Sequence, residues 1–145
     1  MVLPIKVELF VCDRTEKEPK ILLLKRSVGD GGFWQPITGT LEFEESLKDC
    51  AIRELKEETG IENIKSISPE IYRFNWEKNG QTIIELVYIV DTEEKSVILS
   101  TEHSSFRWVS IEEAKDLLEK ENNRKALGYF CSFTNYRGGD LVENH

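Results

Sequence analysis

Between Gly39 and Ile61 the chain reads GTLEFEESLKDCAIRELKEETGI, which sets acids on a helix face that packing alone would make apolar. At about 100° per residue, Leu47, Ala51 and Leu55 mark the inward stripe of an amphipathic helix. Glu54 and Glu58 project within ~40° of the Leu47–Ala51 line, and Glu57 lies about 60° to the other side of Glu54. Three carboxylates on one side within two turns repel one another, and desolvating them unpaired is costly. A positive partner is expected among them, and oxygen-only ligands suit a hard cation, Mg2+ or Mn2+. The competing reading is a solvated acidic helix in which Arg53 and Glu57 form an i,i+4 pair.

That competing reading does not require Gly39, Glu45 and Gly60 at their offsets. The segment fits Gly-x5-Glu-x7-Arg-Glu-U-x-Glu-Glu-x-Gly-U (U aliphatic) at Gly39, Glu45, Arg53, Glu54, Leu55, Glu57, Glu58, Gly60 and Ile61. It resembles the Nudix box. The resemblance implies an α/β/α sandwich with a mixed central sheet, in which the box forms a loop–helix–loop. It also implies hydrolysis of a nucleoside diphosphate linked to another group, by water attack at phosphorus. By the same resemblance Glu54, Glu57 and Glu58 carry the metal, with the Gly39 carbonyl as a further ligand. Arg53 orients the glutamates, Glu45 supports the loop–helix junction and Gly60 closes the turn. The catalytic set is then Glu54, Glu57 and Arg53; the general base varies across the family, and Glu54 is one candidate.

Phe33-Trp34-Gln35, Thr38-Gly39, Thr101-Glu102-His103, Trp108 and Asn123-Arg124 resemble a narrower group. These are the bacterial Nudix enzymes that remove pyrophosphate from dihydroneopterin triphosphate. That likeness makes Glu102 a fourth metal ligand; the alternative is a solvated loop acid. Glu44 stands where relatives commonly carry Gly, which makes the loop stiffer and more acidic. Outside these motifs, Trp34 can stack on a flat heterocycle or fill the core, and Phe33 reads as core. Lys25 and Arg26 end a strand near the box and either neutralise phosphate charge or are simply solvated. His103 is a proton shuttle or a structural histidine.

The elements that must position these residues alternate without a linker. Residues 5–12 and 21–24 read as a hairpin, 27–32 as a loop, and 33–38 as an extended segment running into Gly39. Ser46 caps the box helix and Gly60 ends it. Residues 72–76 and 82–90 flank a turn at 77–80 with Asn79-Gly80 at its tip. A strand at 106–109 precedes a capping box at Ser110–Glu113, a helix to about 118, and a last short helix at 123–130. The reading is one mixed α/β domain over residues 1–135, followed by a flexible tail at 136–145.

At 145 residues the chain suits one domain with one sizeable core. Its net charge of −8 argues against nucleic-acid backbone binding, capped RNA included. Cys12, Cys50 and Cys131 are odd in number and scattered, so neither a disulfide framework nor a zinc site is indicated. No apolar run approaches the ~18 residues of a membrane span and the start reads as a strand, so cytoplasmic is the default. Nothing in the sequence sets the oligomeric state.

Three functions fit these residues. The first is a Mg2+-dependent pyrophosphohydrolase cutting a nucleoside or pterin triphosphate to monophosphate and pyrophosphate. The second is a hydrolase of another nucleoside diphosphate derivative, such as a dinucleoside polyphosphate or a nucleotide sugar. The third is a module that binds a nucleotide without cleaving it. Degenerate modules usually lose box acids, and every box acid is present here.

Overall fold

In the computed structural model, which describes residues 4–135, β1 (Ile5–Asp13) alternates Val7, Leu9 and Val11 with Glu8, Phe10 and Cys12. All six are buried, so this strand lies inside the sheet with both faces covered. β2 (Lys20–Arg26) returns antiparallel, with Cys12 opposite Ile21. After a 3-10 turn at Val28–Asp30 come β3 (Trp34–Gln35), which pairs with β2, and β4 (Ile37–Thr40), which pairs with β1. Pro36 separates them, and its missing N–H falls where the chain changes partner strands.

The box helix α1 (Leu47–Thr59) begins where Ser46 Oγ accepts the Asp49 N–H at 3.0 Å. It ends at Gly60, whose φ of 77° is left-handed and whose N–H reaches the Lys56 carbonyl. Thr59 Oγ1 closes the last turn, donating to the Leu55 carbonyl and accepting the Ile61 N–H. β5 (Ser66–Ile67), β6 (Tyr72–Lys78) and β7 (Gln81–Asp91) follow. The β6–β7 hairpin turns on Asn79 and Gly80, both at positive φ, which its tight turn requires. β8 (His103–Val109) leads to α2 (Ile111–Leu117), opened by the Ser110–Glu113 capping box, and to α3 (Glu121–Thr134).

These eight strands form one mixed sheet: β1 and β7 run parallel and the remaining pairs are antiparallel. On one face Cys50, Ala51 and Leu55 of α1 pack on Val7, Leu9, Leu22 and Leu24. On the other, Ile111, Ala114, Leu127 and Phe130 of α2 and α3 pack on Phe10, Leu23 and Val87. The result is a single-domain α/β/α sandwich. Among the described residues no helix is long and apolar enough to cross a membrane.

Three elements differ from the sequence reading. β5 is two residues paired with β7, too short to carry a periodic signal. β8 starts at His103 because pairing with β2 overrides the weak strand preference of Ser104 and Ser105. α3 is longer at both ends: its Lys120 N-cap makes no side-chain bond, so no cap marks its start, and burial of Ala126, Leu127 and Phe130 holds it in place. The expected tail at 136–145 lies outside the described residues.

Glu44, at the position where a glycine was expected, has φ of 64°. A left-handed side-chain-bearing residue costs about 1–2 kcal/mol, which a glycine avoids. Glu44→Gly is therefore expected to leave the melting temperature unchanged or raise it, whereas Gly60→Ala should lower stability by about 1 kcal/mol. Thermal unfolding of the two variants checks both signs.

Candidate active site

Arg53 sits where loop, strand and helix meet. Its Nε donates to Glu45 Oε2 at 2.7 Å and its Nη2 to Glu45 Oε1 at 3.0 Å, a bidentate pair. Nη2 also reaches the Thr40 carbonyl at 2.9 Å, tying α1 to the end of β4. Nη1 spans Glu54 at 2.9 Å and Glu57 at 3.2 Å. Glu45 in turn accepts the Glu42 N–H at 3.0 Å, so the loop ahead of the helix is pinned by the same carboxylate. The Arg53 bonds hold Glu45 down to about 2.

Gly39 marks the closest approach of β4 to the helix. A Cβ there would overlap the Glu54 carboxyl carbon, so any other residue would have to push that side chain off its present position. Glu54 is buried, and burial, helped by the charges of Glu57 and Glu58, raises it above the ordinary carboxylate range against the pull of Arg53. Glu57 is exposed, with the Arg53 contact on one side and solvent on the other. Glu58 is buried: Oε1 accepts Ser100 Oγ at 2.7 Å and lies 3.0 Å from His103 Nδ1. That second approach suits an ion pair with a protonated ring but is off the line of a straight hydrogen bond. The His103 contact and then Ser100 hold Glu58 below its ordinary value, with burial opposing them.

The 100–103 segment is thus brought onto the box helix, although Ser100 and His103 make the contacts. Glu102 is exposed in the turn, and its N–H points to Ser100 Oγ at 3.4 Å. Among the described residues no three His, Cys, Asp or Glu side chains are arranged as a closed metal cage. The donor set nonetheless fits a hard cation: it is all oxygen, and a divalent ion would relieve the buried Glu54 and Glu58 and their repulsion with the exposed Glu57.

Beside the box lies a cavity of about 440 Å3 lined by Glu8, Arg26, Phe33, Thr38, Trp76 and Glu85 among others. β1 pairs with β2 at Cys12–Asp13 and with β4 at Lys6–Leu9, so β2 and β4 part company along it. Arg26 stands in that gap. A bulge between Lys25 and Arg26 sets Arg26 opposite His103, and its charge is felt at Glu58 as well as in the cavity. Lys25 and Trp34 are placed differently: neither is among the lining residues. Strand alternation puts Lys25 and Trp34 on one side and Gln35 on the other; Trp34 packs on the α2–α3 core with Lys25 Nζ 5.8 Å from its ring centre. Phe33, read as core, lines the cavity instead, with Lys120 Nζ 4.3 Å from its ring centre. A larger depression of about 720 Å3 lies elsewhere and holds none of the box residues; the Arg14–Asp91 pair spans it.

Ser100, Glu8 and Glu85 are the site residues that sequence reasoning missed. Glu8 and Glu85 did leave a signal, since each is an acid inside an otherwise apolar strand. Ser100 left none, because only folding brings it to Glu58.

The family model described as the NUDIX domain matches residues 3–130. The chain belongs to the Nudix family and is a hydrolase of phosphoanhydride bonds. It is 32% identical over 126 residues to a dihydroneopterin triphosphate diphosphatase of Haemophilus influenzae, covering 78% of this chain and 79% of that one. It is 33% identical over 112 residues to the asymmetrical bis(5'-nucleosyl)-tetraphosphatase of Rattus norvegicus, covering 74% and 76%. Its fold matches a C. elegans Ap4A hydrolase binary complex with a TM-score of 0.76 at 24% identity, over 92% of this chain and 98% of that one.

Replacing Arg53 by Lys keeps a charge and removes the planar fork, so urea unfolding should show a loss of about 2 kcal/mol. Glu45 titrates at about 2 in the fold against an ordinary 4.5, so its contribution is present above that ordinary value and is lost as pH falls toward about 2. The urea midpoint should fall across this window, and less steeply in Glu45→Gln. Parallel acid profiles would contradict the role of this pair.

Proposed function

We propose that this chain is a Mg2+-dependent pyrophosphohydrolase that cleaves a nucleoside-triphosphate-like substrate to monophosphate and pyrophosphate. Dihydroneopterin triphosphate and the NTPs or dNTPs are the substrates in view. The observation that carries this reading is the junction of Arg53-held carboxylates with a cavity, bridged by Arg26. Glu54, Glu57, Glu58 and the Gly39 carbonyl would hold the ion, and Glu102 would extend the set from the neighbouring turn. When bound, the ion lowers the pKa of a water and offsets charge on the phosphoryl oxygens. The chain's own residues do the rest. Arg53 keeps Glu54 and Glu57 in register, Glu45 fixes Arg53, and Arg26 draws the phosphates toward the box. Glu54, next to Arg53 and Gly39, is the candidate for taking a proton from the attacking water.

A second reading, hydrolysis of a dinucleoside polyphosphate, is favoured by the rat relative, which matches at similar identity and coverage. Product analysis with Mg2+ and a panel of dihydroneopterin triphosphate, NTPs, dNTPs, diadenosine polyphosphates and nucleotide sugars separates the two. Pyrophosphate release from a triphosphate supports the first; cleavage confined to diadenosine substrates replaces it with the second. Nucleotide bound but never cut would leave a binding module. Glu57→Gln should lower turnover about 100-fold while the melting temperature holds, because Glu57 is exposed and among the described residues its ion pair is with Arg53. Full activity in that variant would remove Glu57 from the metal set.

A further inference from the structure

The floor of the cavity holds two carboxyl groups for which the hydrolytic reading has no use. Glu8 comes from β1 and Glu85 from β7, the two parallel strands at the middle of the sheet. They are 0% and 5% exposed, and both line the cavity. Neither Glu8 oxygen has a hydrogen-bond donor, and among the described residues neither acid has an ion-pair partner. Glu85 accepts the Trp76 indole N–H at 2.8 Å. Burial and the facing Glu85 raise Glu8 well above its ordinary value, and its two oxygens stand as unfilled acceptors in the cavity floor.

A pair of this kind does nothing for stability that an apolar pair would not do better. The same faces of β1 and β7 continue as Phe10 and Cys12, and as Val87 and Ile89, all buried in the α2–α3 core. The acids replace that apolar pattern at the end of the face where the cavity opens. Around them the walls suit a flat ring, with Phe33, Phe74 and Trp76 for stacking and the amide of the buried Asn123 on the α3 side.

We propose that Glu8 and Glu85 recognise the heterocycle of the substrate, and that this ring presents an N–H beside an exocyclic amino group. That edge is the 2-amino-4-oxopyrimidine shared by guanine and the pterins. Side-by-side acceptors call for side-by-side donors, whereas adenine and cytosine present an acceptor next to an amino group. A site built to accept N–H groups rejects a ring lacking one of them, because the buried acceptor is then left unpaired. The inference rests on the cavity being where the substrate's ring binds.

The test is calorimetric titration of the full chain, without metal, with GMP, IMP, AMP and dihydroneopterin monophosphate. IMP differs from GMP only in lacking the 2-amino group. GMP or the pterin should bind about 10- to 100-fold more tightly than IMP, and which of the two is tighter identifies the ring. Glu8→Gln and Glu85→Gln should bring the preferred ligand down to the IMP level while the melting temperature holds or rises. Equal affinity for GMP, the pterin and IMP in the unaltered protein overturns the proposal, as does a preference that survives in both variants or no binding in the millimolar range. The unaltered protein decides the matter even where a variant fails to fold. A ring preference without hydrolysis of any triphosphate would sink the proposed function and leave this inference standing; hydrolysis without a ring preference would do the reverse.

Discussion

A single guanidinium holds the site together. Arg53 presents five N–H donors in one rigid plane, and they meet Glu45, Glu54, Glu57 and the Thr40 carbonyl. Remove that plane and the loop before α1, the end of β4 and the acidic face of the helix lose their common anchor. The three glutamates could not be kept this close, one of them buried over Gly39, without a cation already among them. The same residue leaves Glu57 open to solvent, so a carboxylate stays accessible at the mouth of the site.

The rest of the architecture serves to bring two differently charged regions within reach of one small molecule. α1 covers one face of the sheet and α3 the other, so the box and the cavity floor would be separated by the sheet if it were closed. They are not, because β1 changes partner from β4 to β2 along its length and those two strands diverge. The bulge at Lys25–Arg26 places a cation in that opening, where its field reaches Glu58 on one side and the cavity on the other. A triphosphate with a flat ring has the matching distribution: charge at one end and an aromatic surface at the other.

Buried acids appear at both ends of this path and are handled differently. Glu54 and Glu58 have cationic or hydroxyl partners and are partly relieved. Glu8 faces another acid and no hydrogen-bond donor. The first arrangement is ready to exchange its partners for a harder cation; the second is ready to accept ligand N–H groups. Both sacrifice stability locally, and the apolar clusters on the two faces of the sheet compensate.

Much of this was legible in the chain itself. The box spacing, the Ser46 and Ser110 caps, the Gly60 terminus and the Asn79-Gly80 turn are local matters, decided by residues within a few positions of one another, and local chemistry is what sequence records. The amphipathic stripe of Leu47, Ala51 and Leu55 likewise announced which side of α1 faces the sheet. Contacts between residues far apart in the chain were decided by tertiary structure alone. Ser100 and His103 reach Glu58 across more than 40 positions because β8 pairs with β2 beside the helix. Trp34 went to the core because a two-residue strand, set by its pairing to β2, chose the side its ring faces, and Phe33, just ahead of that strand, lines the cavity. Glu8 and Glu85 became neighbours through a parallel pairing of β1 with β7, which no periodicity in either strand could specify. Sequence fixes the period and the caps of each element; only the packed sheet fixes register and partner, and the site is assembled from register and partner.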